Sequence, residues 1–170
     1  MSVARCALLA AALTLAACAT GKPVVYVDEG VSLASYRWVY VAEIDHFDRA
    51  PDAEVARVIG EKIRTRLGEH GIALTTEPAA DATLVLDTRL SRYAYGDAIQ
   101  RWAVAGAGAT ECLVEGDLQD GKTGAKLGVV VSYRTVSSGG LYSGGAGTWI
   151  LDVVATDIAD ELAEKMKGTP

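Results

Sequence analysis

The sequence is short of the residues that most catalysis and metal binding need. It has 2 histidines, 3 cysteines, 4 prolines and a single phenylalanine in 170 residues. Two histidines, His46 and His70, are too few for most metal sites, and Asp45, His46 and Asp48 fall on a turn where solvated polar groups belong. Basic residues are also scarce, with 16 Lys and Arg against 22 Asp and Glu and a net charge of −6. An acidic chain with no basic run lacks the electrostatic footprint of a nucleic-acid or anionic-headgroup binder. The few prolines, 50% hydrophobic residues and 22% charged residues exclude a disordered chain. No internal repeat is present, and the length suits one domain with a real core. The longest apolar run, residues 6–17, is interrupted by Thr14 and falls short of the roughly 20 residues that span a bilayer.

That run has another use. Residues 1–20 read MSVARCALLAAALTLAACAT, with Arg5 ahead of a short apolar stretch and Leu15-Ala16-Ala17-Cys18 at its end. This resembles the signal peptide and lipobox of bacterial lipoproteins. The resemblance implies cleavage of residues 1–17, a diacylglycerol thioether on Cys18 and acylation, for example by palmitate, of the new amino terminus. Ala19 in place of Asp implies sorting to the outer membrane, on its periplasmic face. Ordinary secretion with Ala17-Cys18-Ala19 as the cleavage site is the other reading. Cysteine at the one position the lipobox requires favours lipidation. Several acyl chains make such an anchor stable. Cys6 would leave with the signal and Cys18 would carry lipid, so Cys112 would remain alone with no intramolecular disulfide.

After Cys18, residues up to 34 read as a tether, with Val24–Val27 as an optional edge strand. A single periplasmic domain is expected over 35–168. Residues 36–44, YRWVYVAEI, predict a central strand apolar on both faces. Pro51, Asp52 and Glu54 suit a helix start, and Val55, Val58, Ile59, Ile63 and Leu67 follow at helical spacing to Gly71. A short strand over 72–75 comes next. Leu84, Leu86 and Leu90 alternate with Asp87, Arg89 and Ser91 in a half-buried strand. Cys112, Val114 and Leu118 predict the inward face of a second, and Leu127, Val129, Val131 and Tyr133 that of a third. Residues 137–147 form a glycine-rich loop. A last helix uses Ile150, Leu151, Val154, Ile158 and Leu162, with Thr148 as its cap. The order β-α-β-β-β-β-α predicts an α+β fold, a mixed, mostly antiparallel sheet with two helices on one face.

Residues 116–123, GDLQDGKT, match the spacing of a phosphate-binding loop. Such a loop must run into a helix N-terminus. Here both flanks read as strands, and Asp117 and Asp120 would repel phosphate. Asp120-Gly121-Lys122-Thr123-Gly124 is instead a hairpin turn. Gly106-Ala107-Gly108 lacks the third glycine of a dinucleotide loop, with Glu111 following. Cys112 reads as a core cysteine with no nearby histidine base. No serine lies in G-x-S-x-G. No nucleotide, cofactor, metal or catalytic residue is therefore expected, and the chain reads as no enzyme.

What remains is a set of anchor-type residues. Arg92, Tyr93, Tyr95, Arg101 and Trp102, with Leu141 and Tyr142 on the glycine loop, form the candidate partner surface. Arg101-Trp102, Gly106-Ala107-Gly108, Asp120-Gly121-Lys122-Thr123-Gly124 with Leu127, the glycine loop and the closing helix resemble the bacterial lipoprotein family known as domain of unknown function 4410. The likeness runs over about residues 35–165. It implies a fold similar to small envelope-assembly domains, and binding rather than catalysis. Three functions are expected in order. The first is an outer-membrane lipoprotein that binds an unknown envelope protein. The second is a self-assembling ring or pore subunit. The third is a cell-wall hydrolase, for which Asp87 and Glu111 are better read as solvent-facing strand residues.

Overall fold

The computed structural model describes residues 24–47, 50–95, 109–136 and 146–168. The strands are β1 (Val25–Val27), β2 (Trp38–Val41), β3 (Asp45–His46), β4 (Ala73–Leu74), β5 (Thr83–Ala94), β6 (Thr110–Asp120) and β7 (Lys126–Val136). The helices are α1 (Ala50–Glu69) and α2 (Ala146–Met166). The strands form one sheet in the order β1-β7-β6-β5-β2-β4, with β3 also pairing β5. β5, β6 and β7 make an antiparallel meander, and β1 joins β7 antiparallel. β2, β3 and β4 join by parallel pairing. The α+β class and the mixed, mostly antiparallel sheet under two helices are those the periodicity predicts.

One face of the sheet is buried under the helices. Leu84, Leu86 and Leu90 of β5 and Cys112, Val114 and Leu118 of β6 meet Ile59, Ile63 and Leu67 of α1 and Ile150, Ile158 and Leu162 of α2 in one core. Each fully buried aliphatic side chain here contributes roughly 1.5–3 kcal/mol. α1 ends where glycine allows it. Gly71 has φ 75°, its N–H donates to Gly68 O and the Ile72 N–H donates to Leu67 O. These are the two closing bonds of a Schellman motif, and Ile72 folds back onto the core. The two helices are tied by Asp160 of α2, which accepts from Arg66 Nε at 2.7 Å and lies 2.7 Å from His70 Nε2.

The structure corrects four local expectations. Val25–Val27 is an edge strand with Val24, Val25 and Leu33 in the core, so the chain expected as tether is folded from Val24 onward. β2 lies inside the sheet, but helices cover only one side of it, and Trp38 is exposed. α2 starts at Ala146, so Thr148 sits in its first turn and does not cap it. In β7 the inward face is Gly128, Val130 and Ser132, the opposite parity to that expected. Pairing decides this. Inward-facing Val114 of β6 lies directly opposite Ser132, and residues directly opposite share a face. Val129, Val131 and Tyr133 are thereby turned outward.

Candidate interaction surface

The phosphate-loop spacing is a hairpin. Gly116 lies within β6, and Asp120 closes the turn into β7. Asp120 Oδ1 accepts from the N–H groups of Lys122 and Thr123 at 3.1 and 2.7 Å and from Thr123 Oγ1 at 2.8 Å. Its other oxygen accepts from Tyr36 Oη at 2.9 Å. Lys122 points away, to Asp81 at 2.9 Å. The turn amides a phosphate would need are thus already used by a carboxylate.

This arrangement sets a pH dependence. The Thr123 hydroxyl and N–H, then Tyr36, hold the Asp120 carboxyl below its ordinary range. Burial first, and the Asp120 bond second, push Tyr36 up to about 12. Stability from Asp120 is present above the unfolded carboxylate pKa and lost as pH falls through the folded value. Stability from Tyr36 is full below about pH 10 and lost as pH rises through the folded value of about 12. Asp120→Ala is expected to cost about 1–2 kcal/mol at pH 7 in urea unfolding. It should also flatten the acid limb of the pH–stability curve, as Asp120→Asn would, and reduce the alkaline limb only in part, because burial still raises Tyr36.

Cys112 is fully buried among apolar side chains, and burial pushes its thiol up to about 12. His46 Nδ1 lies 3.0 Å from Phe47 O. Among the described residues no cluster of His, Cys, Asp and Glu could hold a metal ion. A cleft of about 270 Å³ between the β2–β3 segment and α1 is floored by Gly60 and Ile44. Its cations are engaged. Arg57 pairs with Glu54 at 2.6 Å and Glu61 at 2.5 Å, and Arg64 Nη2 donates to Val41 O at 2.9 Å. The cleft is smaller than most ligand pockets, and both of its arginines are committed to partners.

The uncovered face of the sheet carries the remaining features. Its centre is polar, with Arg89 facing Glu115 and Asp87 directly opposite Asp117, which pairs with Lys126 at 2.7 Å. Asp87 accepts from Gln119. Glu111 is paired with Arg92 at 3.0 Å. Asp87 is a solvent-side strand residue, as expected, whereas Glu111 shares its face of the sheet but has its Oε2 atom buried. The corner over β1, β7 and β6 is apolar. Tyr26 lies opposite Val129, Tyr133 opposite Leu113, and Val131 sits between them. Tyr26, Val131 and Tyr133 are 44%, 39% and 49% exposed.

The expected partner surface is divided by a bulge. The register slips between Leu90 and Arg92, which inserts Ser91 and reverses the alternation. Arg92 points outward, Tyr93 packs against the core, and Tyr95 is exposed. Arg101, Trp102, Leu141, Tyr142 and Cys18 lie outside the described residues. The segments holding Arg101 and Leu141 both depart from the same end of the sheet, because Ala94 pairs Glu111 and Thr110 pairs Val136 there. The apolar corner was missed because VVV in β7 is apolar on both faces, so alternation alone does not assign its parity.

The profile of a family described as a domain of unknown function, DUF4410, matches residues 46–140. The chain belongs to the DUF4410 family. The matched stretch runs from the end of β3 through α1 and the β5–β6–β7 meander, while β1 and α2 lie outside it. The fold of this DUF4410 protein is similar to that of the PelC dodecamer from Paraburkholderia phytofirmans. The TM-score is 0.57 at 21% identity, over 82% of this chain and 96% of that one. It is also similar to the hypothetical protein CT253 from Chlamydia trachomatis, with TM-score 0.52, 10% identity, and 79% and 99% of the two chains covered. A minor lipoprotein from Acinetobacter baumannii matches with TM-score 0.43 and 11% identity, over 78% and 94%. No curated protein sequence matches. Among the described residues no helix is long and apolar enough to cross a membrane.

Proposed function

We propose that this DUF4410 protein is a lipoprotein of the bacterial envelope, anchored in the outer membrane through Cys18. Its domain docks another envelope protein on the uncovered face of its sheet. The reading is of a binding module and not of an enzyme. The observation that carries it is the corner of Tyr26, Val131 and Tyr133, where large apolar side chains stand exposed beside a polar sheet centre. Contiguous exposed apolar area rimmed by polar residues marks interaction sites. Photocrosslinking from position 133 in cells tests it. One dominant heterologous adduct, lost in Val131→Glu, is expected. No adduct from position 133, with efficient crosslinking elsewhere on the domain, would sink this surface.

A second reading has its own support. The structure similar over 96% of its length is a dodecamer, which favours assembly of this chain with copies of itself. A ladder of self-adducts, and a lipidated protein of high multiple mass in detergent, would select that reading over the first.

A further inference from the structure

We infer that one end of the domain lies against the lipid surface itself, with Phe47, Tyr95 and Trp149 as its contacts. The inference rests on the lipid anchor proposed above. Two independent observations carry it.

The first is where the exposed aromatics are. Phe47 follows β3, which pairs β5 in parallel at Arg89 and Leu90, in the second half of that strand, so the chain leaves β3 heading toward the end of β5. Tyr95 follows the last residue of β5. Trp149 is in the first turn of α2, and a side chain built at Gly147 would strike the ring of Tyr95 at 2.7 Å. The three residues therefore share one end of the fold. They are 56%, 78% and 56% exposed. Aromatic rings standing in water at one end of a small domain match the side chains that settle at the headgroup level of bilayers. This chain is acidic, so charge does not hold this end against a membrane, and apolar contacts can do so beside the lipid.

The second is the length and direction of the chain that leads to Cys18. Val24 O accepts from Val131 N at 2.8 Å. β1 runs antiparallel to β7, so the chain enters β1 from the side of the aromatic end. From Val131 to the end of β7 at Val136 the sheet extends about 17 Å, at 3.4 Å per residue. The six steps from Cys18 to Val24 reach at most about 21 Å. A lipid on Cys18 can therefore reach the level of that end but cannot lie far beyond it. Turning the opposite end to the membrane would require the tether to double back along β7.

Single-tryptophan forms of the full lipidated protein test this in phosphatidylcholine vesicles whose acyl chains are brominated just below the headgroup. Trp38→Phe with Trp102→Phe leaves Trp149. Trp102→Phe with Trp149→Phe leaves Trp38, which is exposed near the start of β5 at the opposite end. Both forms should float with the vesicles. Trp149 emission should fall at least about twofold, while Trp38 emission changes by less than about a tenth. Flotation with Trp149 unquenched overturns the membrane-facing end and leaves the anchor intact. Protection of Trp149 that appears only as protein concentration rises, without quenching, assigns that end to a second copy and also overturns the inference. Failure to float overturns the anchor and the inference together.

Discussion

Gly116→Ala should destabilise the domain by at least about 3 kcal/mol, whereas Lys122→Ala should leave the urea midpoint unchanged within error. The two residues occupy equivalent standing in the phosphate-loop pattern, so the contrast separates a structural from a nucleotide role. A Cβ at Gly116 would lie 2.1 Å from Asp87 O and 2.5 Å from Thr88 Cα. Both are backbone atoms of the neighbouring strand β5, between residues paired to β2 and residues paired to β3, and cannot swing away as a side-chain tip could. The methyl group must push β5 and β6 apart or break their ladder. Gly121 is constrained in the same way, with Pro78 O 2.1 Å from its notional Cβ. Lys122 makes only an exposed ion pair with Asp81, and such pairs contribute little. The glycines are therefore spaced by backbone approach, and the lysine is incidental. Tolerance of Gly116→Ala, together with micromolar ATP binding abolished by Lys122→Ala, would reverse this assignment.

The same hairpin shows what was legible in the sequence. Asp-Gly between two alternating runs marks the turn because the backbone there needs residues that accept its geometry. α1 was legible from its 3.6-residue spacing and from Gly71, and β5 from the contrast of Leu84, Leu86 and Leu90 with Asp87 and Arg89. In each, local chemistry and tertiary burial agree. β7 was not legible in parity, because Val129, Val130 and Val131 satisfy either face and only pairing with Val114 and its neighbours decides. β1 owes its place to β7, a hundred residues away in sequence. Three apolar residues beside Pro23 give little local sign of it. The separation of Arg92 from Tyr93 has a similar cause. The bulge at Ser91 reverses Arg92 and Tyr93, and an inserted residue leaves no mark in an alternation that continues past it. Trp149 lies in the first turn of α2, and its exposure follows from how α2 packs across β6 and β7.

The largest effect in rate is expected at Cys112. Burial pushes its thiol up to about 12 from an ordinary value near 9. At pH 8 this alone lowers the thiolate fraction by about a thousandfold, and thiolate is the reacting form. The side chain is also fully buried, so a reagent meets it only when the domain opens. The native protein is therefore expected to react with a thiol reagent such as Ellman's at least about a thousandfold more slowly at Cys112 than an exposed cysteine does. In urea that cysteine should titrate at once. A mature chain beginning at a thioether-linked Cys18, or one that has lost Cys18 with its signal, has no thiol that reacts in the folded state and one that appears on unfolding. A fast thiol in either folded form would mean that Cys112 is reachable from solvent, and that the core over it is not closed as its burial requires.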